Sequence, residues 1–108
     1  MAMISFRDLV AAHLASRHPL PEGWTIQRDL ILDSGVEVHF LASRNRESVA
    51  VHCKDEAGNV LFEHVDHAAH LATEVDAGSA ILYVPIGSFT PPVILAYAAR
   101  QRVRIEAL

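Results

Sequence analysis

The stretch VEVHFLASRNRESVAVHCK, Val36 to Lys54, brings two histidines and a lysine close together in pattern. Val36, Val38 and Phe40 alternate with Glu37, His39 and Leu41, which predicts a strand with those three apolar residues on one face. Ser48 to Cys53 predicts a second strand, with Val49 and Val51 on one face. The polar run Ser43-Arg44-Asn45-Arg46-Glu47 joins the two as an antiparallel hairpin. In that pairing His39 and His52 are cross-strand neighbours, near enough to share one ion. Glu37, two residues before His39, lies on the same strand face. Two imidazoles and a carboxylate form a minimal site for Zn2+, Mn2+ or Ni2+, which all accept imidazole. The plainer alternative is a pair of half-buried histidines held by hydrogen bonds.

Neighbouring groups offer less. Cys53 points away from His52 and Lys54, so it belongs in the core as a small apolar residue and is no nucleophile for His52. Arg44 and Arg46 in the hairpin loop are placed to touch phosphate, or are ordinary exposed turn residues. Asp8 or Glu63 could add a carboxylate from a helix. His64, His67 and His70 sit three apart; His67 and His70 fall opposite an apolar stripe and are expected to face solvent beside Glu63 and Glu74. Phe89-Thr90 before a helix offers a free N-terminus, read more simply as an N-cap with a hydrophobic anchor. Trp24 and Tyr97 read as core or interface residues.

The elements that must position these groups follow from the periodicity. Ser5 is an N-cap, with Asp8 a weaker stand-in for the Glu of a capping box, and Phe6, Leu9, Val10, His13 and Leu14 recur at helical spacing. Two prolines, Pro19 and Pro21, and Gly23 end that helix. Trp24 to Gln27 alternates as a short strand, followed by the hairpin. Leu61, Val65, Ala68, Ala72 and Val75 make one helical stripe. Ala80 to Val84 is a continuous apolar run, the mark of a strand covered on both faces. Thr90 as N-cap and Pro91 as first residue start a third helix, with Val93, Leu95, Ala96 and Ala99 as its apolar side. Val103 and Ile105 alternate with arginines as a last strand. The order α-β-β-β-α-β-α-β, a meander followed by helical crossovers, predicts an α/β fold with a mixed sheet flanked by helices.

That order resembles the restriction-endonuclease-like fold of the PD-(D/E)XK nucleases, in its Mrr-type and Holliday-junction-resolvase-like branch. GVEVHFLA at Gly35 to Ala42 is similar to the family's Gly-x-x-x-Asp-Val-Leu-Ala strand. VAVHCK at Val49 to Lys54 is similar to its apolar-x-apolar-(Glu/Gln)-Cys-Lys strand. GSFTPPVILAYAARQRVRIEAL at Gly87 to Leu108 is similar to its Phe-Thr-x-x-Ala-x-x-x-Ala-x-x-x-x-Ile-x-Leu ending. The resemblance implies Mg2+-assisted hydrolysis of a phosphodiester, with the lysine positioning or activating the attacking water. Here, however, His39 stands at the Asp position and His52 at the Glu/Gln position. Only Lys54 carries over. Mg2+ wants oxygen ligands, so the usual magnesium site is expected to be absent or badly weakened.

The 108 residues suit a single domain, residues 1–108, with a modest core, and 51% hydrophobic with 20% charged composition predicts folding. No apolar run is long enough to cross a bilayer, and there is no signal-peptide pattern at the start. One cysteine allows no intrachain disulfide, so a reducing cytoplasm is the expected compartment. The net charge of −4 does not favour broad binding to nucleic acid. Its distribution is uneven: Asp55 to Gly78 holds six acidic residues and no Lys or Arg, while Arg44, Arg46, Arg100, Arg102 and Arg104 collect elsewhere. Three functions fit. The first is a degenerate nuclease fold that binds DNA or assembles, as a homodimer through its last helix and strand. The second is an active endonuclease with Glu37, His39, His52 and Lys54 rearranged around a transition metal. The third is a module that binds only protein.

Overall fold

The structure is a computed structural model that describes residues 4–108. Helix α1, Phe6–Arg17, starts where the Ser5 hydroxyl accepts the Asp8 N–H at 3.1 Å. The Asp8 carboxylate takes a hydrogen bond from Arg28 at 2.8 Å. After a 3-10 turn at Leu20–Glu22, strands β1, Thr25–Ile31, β2, Glu37–Arg44, and β3, Glu47–Cys53, form an antiparallel meander. Helix α2, Phe62–Glu74, crosses to β4, Ser79–Val84, and helix α3, Pro92–Arg100, crosses to β5, Val103–Ala107. Both crossovers give parallel pairs, so the sheet is mixed, in the order β1-β2-β3-β4-β5.

The sheet has one helix on one face and two on the other. Val10 and Leu14 of α1 pack on Phe40, Val51, Cys53, Ile81 and Tyr83. Val65, Ala68 and Leu71 of α2, with Ile94 and Ala98 of α3, pack on Ala50, Ala80, Leu82 and Val84. Strand β4 is therefore buried on both faces, as its unbroken apolar run requires. The element order and the α/β class agree with the sequence reading and are consistent with a restriction-endonuclease-like core. Among the described residues no helix is long and apolar enough to cross a membrane.

Four local expectations change. β1 runs past Gln27 to Ile31, because as the outer strand it needs no apolar alternation on its open side. The hairpin turn has two residues, with Arg44 facing Glu47 and Asn45 at φ 53°, a conformation asparagine tolerates. Helix α3 begins at Pro92, with Pro91 in the cap position and no bond from Thr90. It buries Ile94 and Ala98, while Val93 and Leu95 are 62% and 47% exposed and Ala96 and Ala99 also face outward. That short helix is apolar nearly all round, so pattern could not choose its buried side; the fit to the sheet does.

Candidate functional site

The site is built on a flaw in β2. Val38 and Phe40, two residues apart, would normally share a face. Instead Val38 joins the core under α2 and α3, and Phe40 joins the core under α1. The strand turns over at His39. The β1–β2 ladder passes from Arg28–Phe40 to Leu30–Val38 and skips Asp29–His39, where Asp29 has φ 56°. The β2–β3 ladder stops at Phe40–Val51. Beyond it the His39 side chain takes over: its Nδ1 accepts the Cys53 N–H at 2.9 Å. An imidazole thus satisfies a backbone donor that the opened ladder would leave unpaired.

His39 and His52 meet as the cross-strand pairing implies. Their rings stack with centroids 4.6 Å apart and planes within 18°. His67 of α2 then sets its ring against His52, centroids again 4.6 Å apart, at 70°. Burial lowers the His52 pKa to about 3, helped by His39 and His67. Burial also lowers that of His39, with nearby Arg7 acting in the same direction. Both rings are neutral at pH 7. The rim of the cluster is ionic: Arg7 of α1 bonds Glu37 at 3.3 Å and Asp55 at 3.2 Å, and Glu37 Oε1 lies 3.4 Å from His39 Nε2.

Lys54 stands apart from this group. Its N–H continues the ladder to the Tyr83 carbonyl, and its ammonium donates to the Glu56 carbonyl. The ammonium lies close enough to His64 to depress that ring's pKa, after burial, the larger cause. His64 accepts the Leu61 N–H at 2.9 Å and closes the first turn of α2. Asp8 is held by Arg28, and Glu63 lies on the surface beside Leu61 and Phe62. Arg44 covers the Trp24 ring at 4.7 Å and pairs with Glu47, while Arg46 is exposed. Both lie at the hairpin tip, on the order of 16 Å along β2 from His39.

Arg7, Asp55 and His67 are site residues that the sequence reading missed. His67 is exposed, as expected, yet its ring still reaches His52. His70 does face outward, pairing with Glu74 at 3.2 Å. Cys53 is buried as expected, and burial pushes its thiol up to about 12.

The donor set does not fit the magnesium that the fold resemblance implies. Ring lone pairs lie in the ring plane, so stacked imidazoles send theirs along parallel directions and not to one point. One His39 nitrogen is already engaged by Cys53, and the rim carboxylates Glu37 and Asp55 are both held by Arg7. Among the described residues no three His, Cys, Asp or Glu side chains are disposed to hold one ion.

The sequence matches no protein-family model and no curated protein. Solved structures similar to this chain include these two. One is a protein of unknown function, AF1548, with TM-score 0.64 and 11% identity over 90% of this chain and 56% of that one. The other is SfsA of Pyrococcus furiosus, solved in complex with Ca2+, with TM-score 0.56 and 16% identity over 94% of this chain and 55% of that one. The chain spans little more than half the length of either. At such identities the likeness is one of fold alone.

Proposed function

We propose that the domain binds DNA and lacks the standard magnesium-dependent cleavage of the nuclease-like fold. One observation carries the second half: where that chemistry needs converging oxygens, His39 and His52 stack and are neutral. Charge distribution supports the first half. Of nine Lys and Arg residues, six (Arg17, Arg44, Arg46, Arg100, Arg102 and Arg104) belong to the end of the sheet away from the histidines. A net charge of −4 therefore coexists with a cluster of arginines at one end, three of them paired with Glu47 and Glu106.

The test has two arms. Supercoiled plasmid and branched DNA are incubated with Mg2+, Mn2+, Zn2+ or Ni2+; no cleavage with Mg2+ is expected. Cleavage with Mg2+ that Lys54→Ala abolishes would return the domain to the active nucleases. A duplex is then titrated at several salt concentrations, with affinity expected to fall as salt rises. No binding at low salt would remove the DNA role and leave a protein-binding module. Val93 and Leu95, exposed on α3, favour assembly as a companion role. Sedimentation of the wild type against Val93→Ser/Leu95→Ser tests the homodimer through α3 and β5.

A further inference from the structure

The sheet face that carries α1 is only partly covered. Past the end of that helix a cleft of about 570 Å³ opens over the starts of β3, β4 and β5. Val49, Ser79 and Ile81 line it, together with Arg17, Arg102 and Arg104. The register explains why they meet. Val49 faces Ser79 across one strand pair and Ile81 faces Arg104 across the next. Paired residues share a face, so these side chains stand on the same side of the sheet as α1, whose last turn supplies Arg17.

Charge within the cleft is not cancelled. Arg17 and Arg104 share one carboxylate, Glu106, at 2.8 Å and 3.4 Å. Among the described residues Arg102 forms no ion pair. It also has φ 57°, a backbone conformation that favours glycine. A turn that had only to close between α3 and β5 would take glycine or asparagine there. A long cation is held at the mouth of the cleft instead, against the local backbone preference.

We infer that this cleft binds a phosphate-bearing ligand through the guanidinium groups of Arg17, Arg102 and Arg104. Guanidinium forks match phosphate oxygens in pairs, and the volume suits a group the size of a nucleotide. The phosphate comes from a free nucleotide or diphosphate, or from the backbone of a nucleic-acid strand. The site is separate from the histidine cluster and does not depend on whether cleavage has been lost.

The experiment is calorimetric titration of the full chain with inorganic pyrophosphate, a nucleoside diphosphate and a single-stranded oligonucleotide. Wild type is compared with Arg102→Ala/Arg104→Ala and with Arg28→Ala, a cation outside the cleft and outside the arginine end, circular dichroism confirming that each variant is folded. At least one probe is expected to bind, about tenfold or more weaker to the double variant and unchanged for Arg28→Ala. Binding of the small phosphates alone identifies a small ligand, and binding of the oligonucleotide alone identifies a strand. Binding of no probe, or equal binding by the double variant, overturns the inference. An oligonucleotide held equally by the double variant defeats this site but spares the DNA-binding proposal. A diphosphate held in the cleft with no nucleic acid bound does the reverse.

Discussion

The two ends of the sheet handle their polar groups in opposite ways. At the end where β2 begins and β3 finishes, His39 is buried and neutral and takes over a backbone hydrogen bond. At the other end, arginines line an open cleft and meet carboxylates only at the surface. The first end uses its histidines for packing. The second keeps charge exposed.

Substitutions should separate the ends sharply. His39→Ala leaves the Cys53 N–H without its acceptor and opens a void beside His52, and is expected to cost about 2–4 kcal/mol in denaturant unfolding. A loss under about 1 kcal/mol would mean that the ring is not structural. The pH dependence comes next. The folded His52 pKa of about 3 lies below the unfolded value of 6.5. Above pH 6.5 neither state takes the proton; below it the unfolded chain takes the proton first. Stability should therefore fall as pH drops from 6.5 towards 5, by up to about 1.4 kcal/mol per pH unit from this group. His52→Phe should flatten that slope, and an unchanged slope would assign it elsewhere. The smallest effect belongs to the cleft. Arg17→Ala removes a partly exposed pair with Glu106 and should cost about 0.5–1 kcal/mol, shrinking with added salt. A larger, salt-independent loss would show that the arginine end, too, is built for stability.

The architecture was legible because most elements carry a clean period. Ala80 to Val84 could only be a doubly covered strand, and the α2 stripe placed its helix correctly. The pairing of His39 with His52 followed from counting across the hairpin. What sequence could not show was the reversal of β2 at His39, since alternation assumes an unbroken pleat and puts Val38 and Phe40 together. Arg7 was hidden for another reason: it reaches Glu37 and Asp55 from 30 and 48 residues away, and no local pattern encodes that. Lys54 matched a motif position, yet its ammonium is taken by the Glu56 carbonyl in the loop that follows.

The left-handed Asp29 has a consequence for solubility. β1 is one of the two edge strands, and Gln27, Arg28 and Asp29 are all exposed along it. An unbroken outer strand is a template on which another chain can lay down its own backbone. Here the backbone kinks at mid-strand and presents an aspartate flanked by an arginine. The irregularity that releases His39 from the ladder on the inner side also blunts the rim on the outer side, so the same residue that shapes the histidine cluster guards the sheet against aggregation.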